Sequence, residues 1–465
     1  MLFNSPVFIF IFLPIVCALY WILPARARNL ILLLCSLIFY TWGEQELVLI
    51  MLGSILVDFS AGLLIGKGFK KTGLILSILF NLGLLAVFKY ADFIYQSIYP
   101  ALSLIIDTEL PNRINIPLPI GISFYTFQTM SYTIDVYRGN VSPTKNIIKF
   151  GTYVSLFPQL IAGPIVRYID VFEQLNSRSA QLKDIRIGIE RFIIGMIKKM
   201  LFANTFAEIA DLCFSNPADI SSPATLWIGI IAYSLQIYFD FSAYSDMAIG
   251  ISRMFGFKIL ENFNYPYIAV SIQDFWRRWH ISLSQWFRDY LYIPLGGSRV
   301  GKFRIYFNLI IVFFITGLWH GASWSFVVWG LYHGFFLILE RLFLGNLLNK
   351  MHNSFRRIYV LLVVIFGWVF FRVENITDAI LTIKVMCFIE PTTAAVHYTL
   401  LFNNFRYFIF GIGLILCTPI YHLIIKYIKE YKMQYFYFIV LLFLYFISLC
   451  FMAAGTYDPF IYFRF

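Results

Sequence analysis

The chain has 465 residues, of which 60% are hydrophobic and 13% charged, and its mean hydropathy is +0.75. These values exclude an ordinary soluble globular protein and indicate a polytopic membrane protein, with room for roughly ten to twelve spans at ~20 residues each. The net charge of +11 sits in short loops between apolar runs, as the cytoplasmic-loop bias predicts, and does not indicate nucleic-acid binding.

Residues 7–23 form a first apolar run, too long and too quickly followed by others to be a cleaved leader. Runs at 30–42, 47–66 and 73–95 follow. The loops between them carry Arg26 and Arg28, then Glu44 and Glu46, then Lys67, Lys70 and Lys71. That alternation places the N-terminus outside the cytoplasm and the basic loops inside. A longer loop, 96–115, comes next. Residues 117–128 and 157–164 are apolar but interrupted by proline, glycine and polar side chains. Broken backbone at membrane depth is tolerated where protein or a watery cavity satisfies the freed groups. Both are therefore expected to be re-entrant segments lining a central cavity, with simple kinked helices as the alternative.

The run at 187–213 carries Lys198 and Lys199 near its middle, so a surface helix, or a short span with snorkelling lysines, is expected. The run at 224–251 contains Asp240 and Asp246, six residues apart and so on different helical faces. Their expected role is to hold partner helices rather than to react. Residues 273–292, QDFWRRWHISLSQWFRDYLY, place Trp276, Trp279 and Trp286 among Arg277, Arg278, Arg288 and Asp289. This composition predicts an amphipathic segment in the cytoplasmic membrane interface.

Residues 306–341 read as an apolar hairpin whose turn contains WHGASW. His320 in this setting is costly to bury. It is either a proton-carrying group facing a pathway or a packed histidine bonded to a neighbouring helix. Gly317 and Gly321 share one helical face with it and are expected to leave room for another backbone or a thin substrate. Apolar runs at 358–372, 400–428 and 434–454 complete the chain before an aromatic tail. His333 is expected to be structural, and His352, His397 and His422 to be solvated. The six cysteines form no CxxC pair, which supports neither a disulfide framework nor a zinc site, and no other metal site is expected. There is no internal repeat and no phosphate-binding glycine loop, so residues 1–465 are expected to form one membrane-embedded domain.

Several stretches together resemble the membrane-bound O-acyltransferases: IPLPIGISFYTFQTMSYTIDVYRG (116–139), FPQLIAGPIVRY (157–168), YFDFSAYSDMAIG (238–250), FWRRWHISLSQWFRDYLYIPLGG (275–297) and GLWHGASW (317–324). The resemblance runs from the opening FNSPVFIFIFLP to the final FIYFRF and is closest to the bacterial branch that acetylates alginate and peptidoglycan. It implies an all-α fold, a ring of about eleven membrane helices with re-entrant segments around a central funnel. It implies His320 as the catalytic histidine and His280 as a second histidine with a supporting or donor-side role. The implied reaction moves acetyl groups from a cytoplasmic thioester, acetyl-CoA, toward an extracytoplasmic polysaccharide.

In the terminal motif, the resemblance makes Tyr462 a candidate acyl carrier. A phenol of pKa ~10 is a leaving group close to a thiol at ~8.5. The alternative is an aromatic tail anchored at the membrane interface. Arg277, Arg278 and Arg288 are candidates for the phosphates of coenzyme A, although anionic lipid headgroups account for them equally well. Arg167 matches the family pattern as a group that steadies a loop or a donor phosphate. The expected setting is the bacterial inner membrane among its lipids. The expected partner is a periplasmic or anchored SGNH-type O-acetyltransferase that completes transfer to the sugar. Heavy use of Phe, Ile, Lys and Asn leans toward peptidoglycan over alginate. Two rivals are D-alanyl transfer to teichoic acid and a non-enzymatic transporter or flippase; the lack of a paired repeat weighs against the second.

Overall fold

A computed structural model of the chain describes all residues except 104–113, 115, 180, 215–221, 391–402, 456, 458 and 460–465. The described residues form helices and connecting turns and no strand. Among the described residues seven helices are long and apolar enough to cross a membrane, and the number rises to eight if one bent pair is a single span. A shorter apolar helix, Phe8–Ile22, precedes them. The chain is a multi-pass all-α membrane protein; the implied count of about eleven spans stays an expectation. Backbone proximity divides it into two compact units, Met1–Ile189 with Ala248–Leu260, and Glu190–Met247 with Glu261–Phe465.

In the first unit, helices Val48–Gly66, Lys70–Leu85 and Ile122–Arg138 are joined by a polar network with no access to solvent. The Asp58 carboxylate accepts from Asn81 Nδ2 at 2.8 Å, from Thr133 Oγ1 at 3.0 Å and from Ser77. Thr129 donates to Asn81 Oδ1 at 3.0 Å. Fully satisfied networks of this kind fix which helix faces meet. The expected interruption over 117–128 is confined to its first residues. Gly121 adopts φ 78° and an unbroken 17-residue helix begins at Ile122. The polar residues that suggested a break turn inward; Thr126 Oγ1, for example, donates to the Ile122 carbonyl at 2.7 Å. The second stretch is broken as expected. A single turn, Phe157–Leu160, gives way to non-helical backbone. A Cβ at Gly121 would lie 2.5 Å from the Leu160 carbonyl oxygen, so only glycine lets the two stretches meet.

The second unit corrects the reading of 187–213. Helices Leu182–Ile197 and Asn204–Phe214 are continuous through a π-helical turn, Lys198–Ala203. Lys199 does not snorkel. It is 3% exposed and pairs with Asp240, itself 1% exposed, at 2.9 Å. Asp246 takes Lys198 at 2.7 Å and Arg191 at 2.9 Å. Both carboxylates of helix Pro223–Met254 therefore hold a neighbouring helix, which is the structural role expected of them. The apolar run at 400–428 is two helices bent by 84°, Asn404–Leu416 and Ile420–Ile428. Pro419 lies between them, and its ring forbids a continuous helix.

The hairpin forms as expected from limbs Lys302–His320 and Trp324–Leu339, and of the two expectations for its glycines, another backbone or a thin substrate, it is the backbone that approaches. A Cβ at Gly317 would lie 2.3 Å from the Phe326 carbonyl oxygen, and one at Gly321 would fall 2.2 Å from the Phe326 ring. The space is filled by the hairpin's own second limb, and no room is left there for a substrate arm. Gly330 meets the first limb in turn, its Cβ position 2.2 Å from the Phe313 carbonyl. Gly330→Ala is expected to force the two backbones apart, destabilising by about 1–3 kcal/mol and displacing His320. Thermal unfolding followed by tryptophan fluorescence measures this; an unchanged melting curve would contradict the close approach.

Candidate active site

Both sequence-predicted histidines lie in the second unit, and the fold brings them together. His320 is the last residue of its helix, where the chain leaves for an extended Gly321. It is 5% exposed. Its ring packs 5.0 Å from Trp319, 5.0 Å from Trp329 and 5.3 Å from Phe371, centroid to centroid. His280 lies 6.3 Å away by the same measure and is wholly buried. The two imidazoles thus belong to one aromatic cluster, although they are 40 positions apart in the sequence.

The amphipathic segment expected over 273–292 contains two short helices, Ile272–Arg278 and Ile281–Phe287, with Trp279 and His280 at the joint. Trp276, Trp279 and Trp286 are buried rather than interfacial. The reason is the joint itself. His280 adopts φ 44°, a left-handed conformation that costs a non-glycine residue of order 1–3 kcal/mol unless its surroundings enforce it. Asn262 enforces it. Its carbonyl accepts the Ile281 N–H at 3.0 Å. Its side-chain Oδ1 faces the Ser282 N–H at 3.3 Å, the Ser282 hydroxyl at 2.9 Å and His280 Nδ1 at 3.2 Å. Asn262 Nδ2 donates to Ser245 Oγ at 3.2 Å, and the Ser282 N–H, which can only donate, requires that the oxygen of the amide be on its side.

This arrangement assigns the tautomer. An oxygen opposite Nδ1 requires the proton there, so Nε2 carries the lone pair. Burial pushes the His280 pKa from 6.5 down to about 3, and the ring is neutral at physiological pH. Its Nε2 has no hydrogen-bond partner among the described residues, and neither do Trp276 Nε1, Trp329 Nε1 or either ring nitrogen of His333. Buried polar atoms nearly always find partners. Several lacking them in one aromatic cluster mark a place built to receive a polar group or ordered water. His333 is wholly buried against Trp276 and Trp329, each 5.2 Å away, and so belongs to this cluster.

The remaining predicted residues fall elsewhere. Arg277 is exposed and has no ion-pair partner among the described residues. Arg278 pairs with Asp274 at 2.9 Å, and Arg288 with Asp289 at 2.6 Å. Arg167 immediately precedes helix Tyr168–Asn176, and both its guanidinium, at 2.8 Å, and its backbone N–H, at 3.2 Å, donate to the Asp170 carboxylate in the first turn. His352 caps helix Asn353–Arg372, accepting from the Ser354 N–H. His422 packs against Tyr265 at 5.6 Å. Tyr462 and His397 lie outside the described residues. Among the described residues no three His, Cys, Asp or Glu side chains group as metal ligands. Sequence reasoning missed Asn262, Trp329 and Phe371. An asparagine in a polar loop carries no periodic signal, and only the fold shows that its amide faces His280.

Comparison with known proteins identifies the family of the chain. The sequence model of the membrane-bound O-acyltransferase family matches residues 122–381, a segment that contains both histidines and Asn262. The probable alginate O-acetylase of Azotobacter vinelandii is 45% identical over 386 residues, covering 82% of this chain and 76% of its own. The peptidoglycan O-acetyltransferase of Helicobacter pylori is 39% identical over 433 residues, covering 83% and 80%. The teichoic acid D-alanyltransferase of Bacillus subtilis is 30% identical over 234 residues, covering 46% and 56%. With a buried histidine pair, a multi-pass helical fold and matches of this extent, the chain belongs to the membrane-bound O-acyltransferase family and is an enzyme of acyl transfer.

Proposed function

We propose that this protein takes acetyl groups from acetyl-CoA on the cytoplasmic side of the bacterial inner membrane and passes them outward for O-acetylation of an extracytoplasmic polysaccharide, peptidoglycan before alginate. The observation that carries the reading is the pairing of His320 and His280 in a buried aromatic cluster with unsatisfied polar groups. The similarity to alginate and peptidoglycan O-acetyltransferases supports the acetyl group and the polymer class. The D-alanyl reading has weaker support, since that relative matches less than half of the chain.

His320 acts as general base on the attacking hydroxyl. For the first transfer that hydroxyl is the Tyr462 phenol. As the phenolic oxygen bonds the acetyl carbon, its proton passes to His320, the C–S bond breaks, and the thiolate of coenzyme A takes the proton as it leaves. An aryl ester keeps most of the thioester's transfer potential because the two leaving groups differ by only ~1.5 pKa units. The second transfer, to the sugar, belongs to a periplasmic or anchored SGNH-type partner. His280, held neutral with Nε2 facing inward, supports the donor side. Arg277, exposed and without an ion-pair partner, is the best placed of the three arginines to meet the donor phosphates; Arg278 and Arg288 are already paired with carboxylates.

Incubating purified wild type and Tyr462→Phe with acetyl-CoA, followed by intact-mass analysis, tests the reading. The expected result is a single added acetyl group in wild type and none in the variant. Equal modification of both removes Tyr462 as carrier, and no donor turnover by wild type removes acetyl-CoA as donor.

A further inference from the structure

We propose that the buried Lys199–Asp240 pair, together with Asp211, is a latch that holds the chain's own C-terminal tail at Tyr457 and Pro459 in the second unit; its use in delivering Tyr462, though not the latch, rests on the carrier reading above. Taking two ions out of water costs several kcal/mol each, and an apolar pair of the same size is often equally stable. Stability alone is therefore a poor reason for a lysine and an aspartate 3% and 1% exposed. An ammonium has three donors. Beyond its ion pair with Asp240 at 2.9 Å, Lys199 donates to the carbonyl of Pro459, 260 residues further on, at 2.5 Å.

A second grip lies two residues earlier. The Tyr457 hydroxyl donates to Asp211, whose other carboxylate oxygen accepts from Arg372 at 2.6 Å. The tail is thus held at 457 and 459, just before the motif that contains Tyr462. Pro459 lacks an N–H, so its carbonyl is the only backbone group it offers, and Lys199 takes it. A segment tethered in this way reaches a site on its own chain at effective concentrations of the millimolar order. The acceptor phenol then needs no recruitment from solution.

The test uses the full chain in nanodiscs, digested with carboxypeptidase Y and followed by intact mass. Wild type is compared with Lys199→Met/Asp240→Asn, which removes both charges together and orphans neither, and with Tyr457→Phe, which removes one hydroxyl at a residue 45% exposed. Each variant is expected to lose its terminal residues at least ~10-fold faster, as the loss of one good hydrogen bond implies. Tryptophan-fluorescence melting checks that the fold is kept; should the double variant unfold, Tyr457→Phe decides. Digestion at the wild-type rate in a folded variant overturns the latch, whether or not Tyr462 becomes acetylated. Faster digestion in the variants with no acetylation of wild type keeps the latch and removes only the carrier reading.

Discussion

Replacing His320 with alanine is expected to abolish acyl transfer, a loss of about 10²–10⁴-fold if proton transfer is its contribution. The ring is packed against Trp319, Trp329 and Phe371, so the alanine variant also leaves a void. His320→Gln therefore belongs beside it, because glutamine fills most of the volume and cannot accept a proton at neutral pH. Initial rates of donor thiol release, measured with melting curves for both variants, separate chemistry from packing. Activity near wild type in a folded glutamine variant would return His320 to the role of a packed core histidine.

The second large effect is expected at Asn262, a positioning residue. Asn262→Leu keeps the volume and removes the amide, leaving the Nδ1–H of His280, the Ser282 N–H and the Ser282 hydroxyl without the oxygen they now face. Each buried orphan costs about 1–3 kcal/mol, so a destabilisation of about 3 kcal/mol or more is expected. The His280 ring also loses the contact that sets its tautomer, and donor turnover should fall by about 10²-fold. Asn262→Asp keeps an acceptor oxygen and should recover stability, while its charge favours a protonated His280 and shifts the pH profile of turnover toward a protonated site. A leucine variant with wild-type turnover would mean that His280 has no part in the reaction.

The tail latch and the hairpin share a logic with this site. In each, a costly local feature is held in place by groups far away in sequence: a buried ion pair, a backbone contact with no room for a methyl group, a left-handed histidine. Such features survive only where the surroundings over-determine them, and they cluster where function needs fixed geometry.

Several elements were legible from residues alone. The spans at 47–66, 358–372 and 434–454 appear within a few residues of their expected bounds, because apolar runs of this length have few other ways to satisfy their backbone. The hairpin, and its histidine as the group to examine, were equally legible, since an imidazole in an uncharged run is conspicuous. What failed did so for one reason. Hydropathy says that a residue leaves water, but not which neighbour it meets. Lys199 was expected to reach for the surface because nothing in its own run announces Asp240. The tryptophans at 276 and 279 were placed at an interface because their burial depends on a joint that Asn262 imposes. For Gly317 and Gly321 the choice between another backbone and a thin substrate stays open in the sequence, because the second limb that fills their space is visible only in three dimensions.

The sequence by itself therefore determined the class of molecule, a multi-pass helical membrane protein, through composition and hydropathy, while its motifs carried the resemblance to the acyltransferases and singled out His320 as the histidine to examine. Tertiary structure alone decided that His280 lies 6.3 Å from His320, that Asn262 sets its proton, and that Lys199 meets the Pro459 carbonyl. These are contacts between residues tens to hundreds of positions apart, and periodicity along the chain carries no record of them.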